Sequence, residues 1–208
     1  MTTIESTPAT VKIEHYLLIG HPGSGRTLWA RRKAAAPPAR ISQASAWWDS
    51  DMSYIYRVAG LLPAPSATTP PIRAPHHTVS RVGMTGAFTK GWKWRLGELS
   101  LAHGGTLLLD ELSEFRADVL EDVRHVMGTR TLSQHSNDVN LNTPCVFRLI
   151  ATAHPCPCGW HGSTVRCTCS AETVARYAQR IPQWVRNVCT VITPEQVKAD
   201  LAAKDVHT

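Results

Sequence analysis

Apolar residues recur along this chain in two rhythms. Apolar-rich stretches at Tyr16–Ile19 and Thr106–Leu109, and a third across Phe147–Ala153, have the length of buried strands. Between the last two, Val119, Leu120, Val123, Val126 and Met127 recur at the spacing of one helical face. A core-facing helix is therefore expected over Phe115–Met127, closed by Gly128. Further helices are expected over Thr27–Ala35, stopped by Pro37 and Pro38, and over Leu96–His103, ended by Gly104 and Gly105. Ser50 or Asp51 can cap another, running through Tyr54, Ile55 and Val58 to Gly60. The stretch RTLSQHSNDVNLN reads as a hairpin turning near Ser136, Asn137 and Asp138.

Strands alternating with helices imply an α/β fold, a mainly parallel sheet flanked by helices. Residues 61–75 turn to Pro, Ala, Ser and Thr and read as a connector with little regular structure. At 208 residues one domain is expected: a core over 11–193 that contains this connector and a Cys-rich loop at 154–170, then a C-terminal tail at 194–208. Hydrophobic residues at 43% and charged residues at 18% are a globular balance and exclude a wholly disordered chain. The net charge of +6 favours an anionic partner, whether nucleotide, nucleic acid or an acidic protein face.

The opening MTTIESTPAT lacks the basic and apolar regions of a signal peptide, and no apolar run approaches the ~20 residues that span a bilayer. A cytoplasmic protein without a membrane partner is expected. In that compartment the six cysteines read as thiols or metal ligands rather than as a disulfide framework.

The stretch GHPGSGRTLWA carries Gly20, Gly23, Ser24, Gly25, Arg26 and Thr27 between a strand and a helix, the context of a phosphate-binding loop. There, glycines let backbone N–H groups wrap phosphates, a lysine reaches the terminal phosphates and a hydroxyl binds magnesium. Arg26 stands where the lysine belongs. It keeps the charge, but its planar fork is larger and differently directed, which favours binding over fast turnover. A glycine-rich turn without a ligand is the alternative. The run TLLLDE supplies a second half, with Asp110 joining Thr27 on magnesium and Glu111 orienting the attacking water.

In CPCGWHGSTVRCTC, Cys156, Cys158, Cys167 and Cys169 form two CxC pairs suited to tetrahedral zinc. His161 is an alternative ligand, and free thiols are the other reading. The loop KGWKWR, Lys90–Arg95, interleaves bases with Trp92 and Trp94, a composition that can neutralise phosphates and stack on unpaired bases. Tryptophans packed on the core are the plainer reading. His76 and His77 carry no metal assignment.

Taken in order, PIRAPHHTVSRVGMTG, GELSLAHGGTLLLDELSEF, HPCPCG with the later CTC, and ARYAQRI resemble the magnesium chelatase ATPase subunit and, more closely, its bacterial ComM relatives. GAFTKG is similar to the contact loop of another AAA+ branch, the activators of the alternative sigma factor. The resemblance, over roughly residues 13–190, implies an AAA+ P-loop core binding ATP and magnesium, working as a homo-oligomeric ring. For ComM relatives it implies action on branched DNA. It also places His154 where a sensor asparagine usually stands, and Arg186 near, but out of register with, an arginine offered to a neighbour's nucleotide. The roughly 20 residues after that segment are too few for the family's helical lid, and a full-length relative is an implied partner. The expected function is an ATP-binding AAA+ module with slow or partner-dependent hydrolysis, linked to DNA processing. The alternative is a non-enzymatic, catalytically degenerate interaction protein.

Overall fold

The computed structural model describes residues 13–36, 38, 53–57, 59–61, 64–65, 69–89, 93–136 and 139–205. Its strands are β1 (His15–Ile19), β2 (Ile72–Arg73), β3 (Gly86–Thr89), β4 (Lys93–Leu96), β5 (Thr106–Leu109), β6 (Thr131–Ser136), β7 (Val139–Pro144), β8 (Arg148–Ala153) and β9 (Cys189–Ile192). Its helices are α1 (Arg26–Ala35), α2 (Arg81–Thr85), α3 (Glu98–Leu101), α4 (Ala117–Thr129), α5 (Ala171–Ala178), α6 (Gln183–Val188) and α7 (Pro194–Asp205).

Five strands form one parallel sheet in the order β2-β5-β8-β1-β9, and β3-β4 and β6-β7 are separate antiparallel hairpins. The apolar runs are explained by burial on both faces. Tyr16, Leu18, Leu108 and Ile150 pack with Trp29, Ala30 and Ala34 of α1 and Val197 of α7. The alternate residues Leu17, Leu107, Leu109, Leu149, Ala151 and Ala153 pack into a second cluster with Val119, Leu120, Val123 and Val126 of α4 and with Ile181 and Val185. The two-residue period of strand side chains sorts each run between these two layers. No helix among the described residues is long and apolar enough to cross a membrane.

A buried charge completes α1. Arg148 is 4% exposed, and its guanidinium donates to the carbonyls of Lys33, Ala34 and Ala36 at 2.6, 3.1 and 2.7 Å. It satisfies acceptors that the end of the helix leaves open and sits at the negative end of the helix dipole.

The structure corrects several expected boundaries. Leu96 belongs to β4, where it pairs with Gly86, so strand pairing claims the start of the expected Leu96–His103 helix and leaves only Glu98–Leu101 helical. Helix α4 starts at Ala117 and runs through Gly128. Arg130, at φ +58°, is the left-handed residue that ends it, its N–H bonding the Val126 carbonyl at 2.7 Å. Within the expected connector at 61–75, Ile72 and Arg73 pair with Thr106 and Leu107 as the sheet's edge strand. Within the expected C-terminal tail, Pro194–Asp205 is helical, Val197 is buried against the sheet and Asp200 accepts from the Trp29 indole at 2.8 Å. The cap at Ser50 or Asp51 lies outside the described residues; residues 53–57 that follow are helical.

Candidate functional site

Strands β1, β5 and β8 lie side by side in the sheet and deliver the site at their carboxyl ends, where open α/β sheets place ligands. After β1 the chain turns through Gly20–Gly25 into α1. Gly25 takes the left-handed φ of +81° at the helix cap, and no side chain caps the first turn. The N–H groups at the positive end of a ten-residue helix are therefore left for a ligand, the arrangement that binds phosphate. A Cβ on Gly25 would lie 2.8 Å from Leu201 Cδ1, so α7 packs directly on the turn.

After β5, Asp110 and Glu111 face this turn. The Thr27 hydroxyl lies 3.4 Å from both Asp110 carboxylate oxygens, longer than the roughly 2.5–3.0 Å of a tight O–H···O bond. Thr152, fully buried on β8, donates its hydroxyl to Asp110 and accepts the Glu111 N–H at 3.1 Å. Glu111 is exposed and holds a left-handed φ of +60°, a conformation that non-glycine residues adopt at some cost. Thr152 was not singled out from the sequence; its signal is a hydroxyl interrupting an otherwise apolar strand.

Arg26 does not reach outward. The residue is 9% exposed, and its guanidinium donates to the Gly20 carbonyl at 2.7 Å and meets His154 Nε2 at 2.6 Å. Since the arginine can only donate, His154 Nε2 is the acceptor and the imidazole is neutral. Burial, then the Arg26 charge, holds the His154 pKa below its ordinary value, consistent with that state. Burial likewise lowers the Arg26 pKa, opposed by Asp110 and Glu111. His154 Nε2 lies 3.9 Å from Glu111 Oε1, close but without a hydrogen bond, because the same nitrogen accepts from Arg26. Ser24 Oγ, Arg26 Nε and His154 Nδ1 are buried there without a hydrogen-bond partner.

The turn that follows Glu111 is anchored through Glu114. Glu114, on the turn after Glu111, accepts from the Tyr177 hydroxyl at 3.2 Å and pairs with Arg180 at 3.2 Å. These residues of ARYAQRI were not assigned a role from sequence. Arg186 lies on α6, where its guanidinium donates to the Ala178 carbonyl at 3.2 Å.

Next to the loop, Cys156, Cys158, Cys167 and Cys169 offer four sulfurs within 4.8 Å of one another. Separations of 3.4, 3.8 and 3.5 Å for Cys156–Cys158, Cys156–Cys167 and Cys158–Cys167 approach the about 3.8 Å edge of a tetrahedron with Zn–S bonds of about 2.3 Å. The His161 N–H donates to Cys156 Sγ at 3.4 Å, and its ring is not part of the four-ligand group. The N–H groups of Trp160 and Thr168 hold the Cys158 thiol down to about 5, whereas Cys167 and Cys169, facing the neighbouring sulfurs, are raised. The donor set fits zinc.

Lys90, Gly91 and Trp92 of KGWKWR, and the side chains of Lys93 and Trp94, lie outside the described residues. The His76 and His77 rings lie 4.0 Å apart with their planes tilted by 37°, and His77 meets Phe115 edge-on.

A glycine turn leading into a helix beside an acidic strand end, in a parallel sheet flanked by helices, defines an AAA+ P-loop core. The family described as magnesium chelatase, subunit ChlI, matches residues 9–192, and the chain belongs to it. It is 33% identical over 175 residues to an uncharacterized protein of Mycobacterium tuberculosis strain H37Rv, 83% of this chain and 33% of that one. It is 33% identical over 170 residues to YifB of Escherichia coli K12, 79% of this chain and 31% of that one. The competence protein ComM of Haemophilus influenzae is 30% identical over 169 residues, 81% of this chain and 32% of that one. This chain thus spans about a third of the length of these relatives. Among solved structures, NtrX from Brucella abortus aligns over 86% of this chain and 33% of its own at 14% identity and a TM-score of 0.49. The fold assignment rests on the sheet and the family match.

Proposed function

We infer that this chain is a cytoplasmic ATP-binding AAA+ module whose hydrolysis is slow or awaits a partner. The observation that carries the reading is the convergence of an uncapped helix start, the Thr27 hydroxyl and the Asp110 carboxylate at one end of the sheet. The orphaned Ser24 Oγ and Arg26 Nε are donors that fit a phosphate, so the residues present suit the nucleotide. Gly20, Gly23, Ser24 and Gly25 would cradle phosphates with Arg26 beside them. Thr27 and Asp110 would hold magnesium, which neutralises phosphate charge when bound.

Glu111 would orient a water and accept its proton. His154, as a neutral ring held by Arg26, would act where the family's sensor acts, and Arg186 would serve a neighbouring subunit. Restraint on turnover follows from Arg26. A cation tied to the Gly20 carbonyl and to His154 must be re-aimed before it can stabilise charge on a transferring phosphoryl group, and small misplacements there cost orders of magnitude in rate. Zinc on Cys156, Cys158, Cys167 and Cys169 would be structural. A homo-oligomeric ring or a full-length AAA+ relative, and DNA, are the partners this reading expects.

Fluorescent-nucleotide displacement by Mg-ATP tests it. Thr27→Ala and Asp110→Ala should each weaken binding roughly tenfold or more, while Glu111→Gln should keep affinity and abolish any turnover. Equal affinity in all three variants contradicts it. A second reading, a non-enzymatic interaction protein, is favoured by the same Arg26 contacts, since the guanidinium already fills part of its own loop. It expects no turnover even from Arg26→Lys.

A further inference from the structure

The cysteine loop and the phosphate loop touch at two places that neither site requires for its own chemistry. Gly159, between the two pairs of cysteines, has a left-handed φ of +83°, and a Cβ there would lie 2.9 Å from Pro22 Cδ and 3.1 Å from His154 Nδ1. Trp160 stacks on His21 with ring centroids 6.0 Å apart and planes inclined by 20°. His21 and Pro22 are the second and third residues of the glycine turn, and His154 lies two positions before Cys156. The loop's own framework is held by the thiolate cluster, with the Trp160 N–H directed at Cys158 and the His161 N–H at Cys156.

We propose that the metal-loaded cysteine loop is a brace for the phosphate loop, with Trp160 and Gly159 as positioning residues that fix His21, Pro22 and His154. The metal half rests on the zinc reading given above; the brace itself does not depend on nucleotide binding. The physical basis is entropy. A turn built from Gly20, Gly23 and Gly25 has little intrinsic order, and ordering it only when a ligand arrives would subtract from affinity. The brace supplies that order beforehand, from outside the turn. It leaves the backbone N–H groups free, because its contacts are made through the ring of His21 and the pyrrolidine of Pro22. Four metal–sulfur bonds give a loop with little apolar burial the stiffness to do so.

Hydrogen exchange of residues 20–27 in the zinc-loaded full chain tests the proposal, read beside the metal content of each sample. Trp160→Ala should retain about one zinc per chain and raise exchange across the turn by roughly tenfold or more. Trp160→Phe, which keeps a stacking ring, should stay near wild type. Val165→Ala, an exposed position on the same loop, should also leave the turn unchanged. Withdrawing zinc from the wild type with a chelator should reproduce the Trp160→Ala result. Wild-type exchange in Trp160→Ala with zinc retained overturns the brace. Wild-type protein that purifies and remains without zinc overturns the metal half. Neither readout uses nucleotide, so a chain that fails to bind ATP would contradict the functional reading and leave these two results standing.

Discussion

The two halves of the candidate site are held by different means. Asp110 and Glu111 leave a strand whose residues are all buried, and one hydroxyl of the neighbouring strand, Thr152, ties to both of them. Across the cleft, the glycine half keeps Ser24 Oγ, Arg26 Nε and His154 Nδ1 buried and unpaired. An unmet buried polar group costs on the order of 1–3 kcal/mol. In the acidic half Thr152 meets both Asp110 and the Glu111 N–H from within the protein, whereas the glycine half carries a deficit that a ligand with polar or anionic atoms would repair.

Changes to the support of the acidic half should have the largest effects. Leu109 is fully buried and directly precedes Asp110. Leu109→Ala should cost about 3–4 kcal/mol of stability, seen as a lower urea midpoint. A loss under about 1 kcal/mol would mean that the strand is not the rigid support described here.

Acid should come next, through the histidines under each half. Burial, with Arg130 and Arg148 adding to it, pushes His15 at the head of β1 down to about 4. Burial alone pushes His103, three residues before β5, down to about 3. Both are neutral in the folded chain, so their contribution is complete above about pH 6.5, where the unfolded histidines are also neutral. It is lost as pH falls towards 4 for His15 and towards 3 for His103. Denaturant titrations at pH 7 and pH 4 should differ by roughly 3 kcal/mol through His15, on top of the His103 share, and His15→Gln should remove only the His15 part of that difference.

Thr152→Val keeps the shape of a buried strand residue and removes the shared hydroxyl. It should cost about 2 kcal/mol, because it unpairs the Glu111 N–H and one Asp110 oxygen. It should also weaken magnesium-dependent nucleotide binding more than magnesium-free binding. The smallest effect should carry the opposite sign. Ser24→Ala removes an unpaired buried oxygen, so the ligand-free chain should gain about 0.5–1 kcal/mol while nucleotide binding weakens. A loss of stability in Ser24→Ala would erase the contrast between the halves.

The legible part of the molecule was the part written in local sequence. The apolar runs at Tyr16–Ile19 and Thr106–Leu109 became the strands expected of them, the glycine turn entered a helix, and the four cysteines converged. Boundaries failed where a partner elsewhere in the chain decided them, as when Gly86 pairing drew Leu96 into a strand. The same reason hid the most informative contact. Arg26 and His154 are 128 positions apart and meet only because β8 lies beside β1. The sequence showed two departures from the family's usual residues; the structure shows that the arginine and the histidine bond each other, so they form one altered unit. Thr152, Glu114 with Tyr177 and Arg180, and His21 with Trp160 were missed likewise, since each gains its role from an element distant in the chain.

The most direct test of the central claim is a calorimetric titration of the zinc-loaded full chain with ATP, run with and without magnesium. Saturable binding that strengthens severalfold with magnesium, and loses that dependence in Asp110→Ala, is the expected result, because the Thr27 hydroxyl and the Asp110 carboxylate face one another across the turn. Absence of binding in both conditions would contradict the account, and would mean that Arg26 occupies its own loop in place of a nucleotide.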